Sequence, residues 1–229
     1  MNNTEIFKKA LKATLPVLTG YAVLGMGFGI LVKASGFDGI VAILMSIFIY
    51  AGSMQYAAVG LLTGGASFLT SAITTFMVNA RHIFYGISMI DKYKGMGTYK
   101  PYLIFSLTDE TYSLLCSDDH DVPQEKRKAY YLAVSLLDQC YWVFGTVVGV
   151  FLGSVIKFNT EGIDFSLTAL FVTIFIDQWL TKKGRVPALI GVGVSVLCLV
   201  LFGADRFLIP AMLIISLILC VCKEDKNND

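Results

Sequence analysis

Fifty-two consecutive residues, Gly39 to Ile90, hold only two acidic or basic side chains, and the two are neighbours: Arg81 and His82. An arginine at the centre of a membrane helix costs roughly 2.5–3.5 kcal/mol on insertion scales. A water-soluble fold has little use for so long an uncharged stretch, because it must cover its core with polar surface. A bilayer removes that demand, since lipid solvates the outside of a helix bundle. The feature therefore points to a membrane protein that keeps one costly cation for a purpose.

Composition agrees. Of the 229 residues 55% are apolar and 15% charged, against about 25% charged in soluble domains. A net charge of +1, with basic residues in short clusters between apolar runs, argues against a nucleic-acid binder, which would show a basic patch or stripe. The five cysteines (Cys116, Cys140, Cys198, Cys220 and Cys222) lie in or beside apolar runs, lack zinc-site spacing, and read as packing residues.

The apolar runs cover 13–32, 39–62, 66–90, 102–117, 129–156, 165–181, 187–203 and 207–222. The expected fold is all-α: a polytopic membrane helix bundle of about eight apolar segments in a single transmembrane domain, 1–229. Lys8, Lys9 and Lys12 precede a run too long for a signal peptide, so the first segment reads as an uncleaved transmembrane helix with Pro16 in its first turn. The positive-inside rule sets both termini and the 118–128 and 182–185 loops in the cytoplasm. Lys92, Lys94 and Lys100 disagree, since eight plain crossings put them outside. Either the bias is violated there or part of 39–117 is re-entrant or broken. Gly52-Ser53-Met54-Gln55 and Gly64-Gly65 favour the second reading, because glycine-interrupted segments turn backbone towards a substrate. Gly25 and Gly29, and Gly145, Gly149 and Gly153, read instead as helix-packing faces.

Two polar stripes run through apolar surroundings. Thr75, Asn79, His82 and Gly86 share one face of a helix over 66–90, with Thr74, Arg81 and Ser88 beside them. Ser106, Glu110, Ser113 and Ser117 share a face of 102–117, with Asp109 adjacent. These acids are natural countercharges for Arg81. The blander alternatives are an interfacial helix whose acids sit in water, or a purely structural ion pair. Asp138-Gln139 and Asp177-Gln178 lie near segment ends and read as solvated or capping.

A guanidinium pairs with a carboxylate, while a carboxylate or helix-break carbonyls suit an ammonium. With apolar walls, the set suits an amino-acid zwitterion. Candidate substrate contacts are Arg81, Asn79, Gln55, Ser53 and Gly52. Candidate proton carriers or countercharges are His82, Asp109 and Glu110. No catalytic motif, metal cluster or cofactor signature stands out, so an enzyme is not expected. A channel or a structural subunit of a transport complex are the competing classes.

Four stretches carry a resemblance. Ala51-Gly52-Ser53-Met54-Gln55-Tyr56-Ala57, Val78-Asn79-Ala80-Arg81-His82, Leu107-Thr108-Asp109-Glu110-Thr111, and Asp164-Phe165-Ser166-Leu167 followed by Ala169-Leu170-Phe171 appear in order. In motif, order and spacing they resemble the AzlC family of branched-chain amino-acid exporters, over nearly the whole chain. The resemblance implies export of leucine, isoleucine, valine and toxic analogues such as azaleucine across the cytoplasmic membrane. It also implies a small AzlD-type membrane subunit as partner.

Overall fold

The structure is a computed structural model that describes residues 2–117, 122–155 and 185–203, with scattered positions within 172–180 and 207–219. Every regular element among these residues is helical. The chain divides into two compact units, Met1–Asp164 and Phe165–Asp229.

The axis of the first unit is a pair of long helices, α1 (Asn3–Ala34) and α8 (Arg127–Val155). Both are long and apolar enough to cross a membrane. They run parallel, with Ala22 beside Gly145 and Lys33 beside Gly153. Small residues let the backbones touch. A methyl on Gly145 would stand 2.8 Å from the carbonyl oxygens of Tyr21 and Ala22, and one on Gly149 would collide with the Met26 carbonyl. The expected glycine faces are thus one interface. Away from it the side chains are apolar and exposed, such as Val23, Phe144 and Phe151, as in a bundle solvated by lipid.

The start of α1 differs from expectation. Asn2 and Glu5 form a capping box, so the helix begins ten residues before the apolar run. Ile6 and Ala10 bury themselves in the core with Tyr130, Tyr131 and Val134, which holds this polar lead in place. Pro16 therefore lies well inside the helix rather than in its first turn. Its carbonyl still accepts a hydrogen bond from Thr19 Oγ1 at 2.8 Å.

The run 39–62 is broken into α2 (Gly39–Phe48) and α3 (Gly52–Thr63). At 1.5 Å per residue neither reaches across the ~30 Å hydrocarbon core. Gly39 meets Val150, and the Ile47 carbonyl accepts from Gln139 Nε2 at 3.0 Å, so α2 descends along α8. Gly52 then sits against Trp142, and Tyr56 reaches back to Gly27 and the Leu24 carbonyl. The chain enters, turns and leaves by the same end. Tyr50 makes the turn at φ +45°, a left-handed conformation that costs a non-glycine residue about 1–2 kcal/mol.

The run 66–90 forms α4 (Phe68–Asn79) and α5 (Arg81–Ser88), separated by a tightened turn at Ala80. The next run splits into α6 (Lys100–Phe105) and α7 (Asp109–Ser117). Lys128 lies 4.7 Å over the Tyr99 ring, and Tyr102 donates to Gln139 Oε1 at 2.8 Å. Thr111 then faces Asp138, and Leu115 returns to the core around Ile6 and Tyr130. This second hairpin enters from the opposite end to the first. The tips meet, with the Tyr50 and Phe105 rings 6.3 Å apart.

These two hairpins account for the basic cluster that eight plain crossings misplace. Met89, Tyr93 and Met96 pack beside Ile6 and Ala10. Lys126 Nζ donates to Asn3 Oδ1 at 3.4 Å. The 91–100 segment, the amino terminus and the 126–128 cluster therefore share one end of the unit. Lys92 also donates to the Leu115 carbonyl at 2.6 Å, at the carboxyl end of α7, where a cation suits the helix dipole.

In the second unit, α9 (Arg185–Phe202) is an 18-residue helix apolar enough to cross a membrane. Gly203 follows it at φ +74°. The segments expected at 165–181 and 207–222, the motif at 164–171 and Asp177-Gln178 lie largely or wholly outside the described residues.

Candidate functional site

Three helix starts converge where the hairpins meet α5. Ala51 precedes α3 and Ala80 precedes α5, and neither offers a capping side chain. By contrast Asn2, Asp38 and Ser67 cap α1, α2 and α4. The starts near the centre thus keep first-turn N–H groups that no cap side chain satisfies, and helix N-termini favour anions. The third start, at α7, is held by Thr108, whose hydroxyl accepts from the Thr111 amide at 3.3 Å.

Arg81 begins α5, Ser53 is the second residue of α3, and Asp109 begins α7. Arg81 Nη1 lies 2.5 Å from Asp109 Oδ2, and Nη2 donates to Ser53 Oγ at 3.0 Å. The two charged side chains are 31% and 32% exposed, so the pair is half-buried. Each partner has capacity left. Arg81 Nε and Asp109 Oδ1 are buried with no hydrogen-bond partner. One spare donor and one spare acceptor stand on opposite charges.

The other sequence candidates fall in different places. Gln55 is fully buried and turned to the scaffold, where Nε2 donates to Ser46 Oγ at 3.1 Å and Ser46 shares a 2.8 Å hydrogen bond with Thr146. Gly52 sits so close to Trp142 that an added methyl would lie 2.9 Å from Cη2. Asn79 ends α4, and its carbonyl lies 3.1 Å from His82 Nδ1. His82 is half-buried and edge-on to Tyr85, which stacks on Tyr112. Glu110 points to α1, with Oε2 2.7 Å from the Tyr21 hydroxyl.

The structure also corrects the reading of Asp138. It is 0% exposed rather than solvated, and Thr111 Oγ1 donates to its Oδ2 at 2.7 Å. The signal was present in the sequence. Asp138, Trp142, Gly145 and Gly149 recur at spacings of four, three and four, so counting back from the glycine face puts this acid on the same buried seam. Gln139, one residue on, is partly exposed and braces α2 and α6.

A family signature described as AzlC protein matches residues 16–156. The chain is 45% identical over 95% of its length, and 85% of the relative's, to the branched-chain amino acid transport protein AzlC of Bacillus subtilis (strain 168). The chain belongs to the AzlC family. It is also 39% identical, over 96% of each chain, to an uncharacterized membrane protein of Helicobacter pylori (strain ATCC 700392 / 26695). A more distant relative is the inner membrane protein YgaZ of Escherichia coli (strain K12), 27% identical over 94% of this chain and 88% of that one. These are names of transport and membrane proteins, not of enzymes, as the sequence motifs lead one to expect. No solved structure gives a significant match.

Proposed function

We propose that this chain is a secondary carrier that exports branched-chain amino acids across the cytoplasmic membrane, coupled to protons and working with a small AzlD-type membrane subunit. The observation that carries the reading is the Arg81–Asp109 pair, half-buried at the meeting of three helix starts with one donor and one acceptor unused. A zwitterion is complementary to it. The substrate carboxylate meets Arg81 Nε and the uncapped starts of α3 and α5, while its ammonium meets Asp109 Oδ1. Ser53 fixes the guanidinium. Asn79 and Gly52 shape the adjoining backbone, and Gln55 holds α3 in register through Ser46. His82 and Glu110 are the neighbouring groups able to take up a proton.

The substrate class is supported by the similarity to the Bacillus subtilis protein, whose name specifies branched-chain amino acid transport. Basic clusters gathered at one end of the first unit support a cytoplasmic amino terminus. The test is efflux of leucine from preloaded proteoliposomes carrying the chain with the small subunit, with and without a proton gradient. The expected result is saturable, gradient-sensitive efflux for which isoleucine and valine compete. Flux that does not saturate would indicate a pore, and transport by the small subunit alone would make this chain structural.

A further inference from the structure

Four short oxygen–oxygen separations run in a line from Glu110 to Asp138. Glu110 Oε2 is 2.7 Å from the Tyr21 hydroxyl, which is 2.7 Å from Thr108 Oγ1. Thr108 Oγ1 is 3.1 Å from Thr111 Oγ1, which is 2.7 Å from Asp138 Oδ2. Tyr21, Thr108, Thr111 and Asp138 are all buried, whereas Glu110 is half-buried and one residue from the Arg81–Asp109 pair.

Counting hydrogens decides what this line can be. Three hydroxyls supply three hydrogens for four contacts. With both acids ionised, one contact must hold two oxygens together with no hydrogen between them. One added proton, on either carboxyl, fills every contact. We infer that Glu110 and Asp138 share one proton through a hydroxyl wire made by Tyr21, Thr108 and Thr111, with Asp138 as the inner proton site of the carrier.

The transfer balances. Glu110 gives its proton to the Tyr21 oxygen as Tyr21 gives its own to Thr108. Thr108 passes its hydrogen to Thr111, and Thr111 passes its hydrogen to Asp138 Oδ2. Glu110 ends ionised, Asp138 neutral, and each hydroxyl keeps one hydrogen but points the other way. Two wire polarities correspond to two charge states beside Arg81. With Glu110 neutral, Arg81 is opposed only by Asp109; with Glu110 ionised, a second acid stands near the site. A substrate carboxylate is favoured in the first state and repelled in the second, which couples proton position to substrate affinity.

The groups around Asp138 suit a proton store. Besides Glu110 and Thr111 from the second hairpin, it has Tyr50 from the first hairpin's turn and Tyr102 from α6 near it. No lysine or arginine among the described residues pairs with it. Its Oδ1 is buried without a partner.

This inference rests on the proton-coupled reading, so its test has one arm that needs no substrate. Infrared titration of the full chain in liposomes is expected to show a protonated carboxyl that persists near neutral pH. That band should shift in Thr111→Val and vanish when Glu110→Gln and Asp138→Asn are combined. Absence of the band in the unaltered protein, or its persistence in the double variant, overturns the shared proton. The second arm compares leucine exchange at equal pH with gradient-driven leucine flux. Thr111→Val is expected to hold exchange within about twofold and lose driven flux by about tenfold or more, with Thr111→Ser restoring it. Full driven flux in Thr111→Val, or equal loss of both modes, overturns the wire. Tyr21→Phe serves if Thr111→Val fails to fold. If the unaltered protein moves no leucine in either mode, the transport reading falls and the infrared arm alone decides the wire.

Discussion

The two helical hairpins are similar in outline and opposite in chemistry. The first, α2–α3, contains no acidic or basic residue between Gly39 and Thr63. Its polar groups are spent on the scaffold, through the Gln55–Ser46–Thr146 chain, and its turn stores strain at Tyr50. The second, α6–α7, has no left-handed residue at its turn and places Thr108, Asp109, Glu110 and Thr111 there. The first lies along α8 with glycine at the contacts. The second packs Leu103, Leu107 and Leu115 into the core and adds ionisable and hydroxyl contacts at its turn. The first hairpin is a neutral, braced wall; the second carries at its turn contacts that a proton or a ligand can replace.

Changes on the charged side should cost most. Arg81→Ala removes the only cation of the pair and is expected to lower leucine flux about 100-fold, the equivalent of about 3 kcal/mol. Arg81→Lys keeps the charge without the fork and should retain part of the flux. Normal efflux from Arg81→Ala protein present in the membrane would end the proposed role. Asp109→Asn keeps shape and loses charge, and should raise the half-saturating leucine concentration about tenfold, with little change in protein level. Unchanged affinity would make the pair structural.

The neutral hairpin should answer in stability, not in specificity. Ser46→Ala leaves Gln55 and Thr146 short of a partner, at about 1–3 kcal/mol. It should lower the unfolding temperature in detergent while competition by isoleucine and valine stays as before. A changed competition order would blur the contrast between the hairpins. The smallest effect is expected from Lys92→Met, which removes a cation from the end of α7, about 0.3–1 kcal/mol for such a site. Proteolysis of the 91–100 segment should speed up before transport changes.

Much of this is legible in the residues. That Arg81 pairs with an acid of the 102–117 run follows from charge scarcity, because a lone cation at membrane depth needs an anion; the choice of Asp109 over Glu110 does not. The glycine seam follows from spacing. A broken or re-entrant region is implied by the misplaced lysines, but not which segments turn back. Hydropathy reports that a run is apolar, not whether it crosses, and a hairpin of two short helices is as apolar as a span. Pro16 misleads for a related reason: the start of α1 is set by a cap and by packing of Ile6 and Ala10, which an apolar window does not register. Asp138 escapes a reading by segment ends, because distance along the chain from such an end is a poor measure of nearness to water. Gln55 stands out in sequence as a polar group at membrane depth, but its tie to the scaffold does not. That tie runs through Ser46 to Thr146 on a helix far along the chain, and no local pattern records it.

The seam between α1 and α8 has a bearing on how the chain is made. Gly25 and Gly29 need the backbone of Trp142 to Val150 against them, and that partner is synthesised more than a hundred residues later. At about 5–20 residues per second, roughly 6–25 s pass between the two. Through that interval α1 waits in the bilayer with a bare backbone groove, open to any small-faced helix that drifts by. Assembly of this protein is therefore a race, and the earliest helix to be made is among the last to be protected.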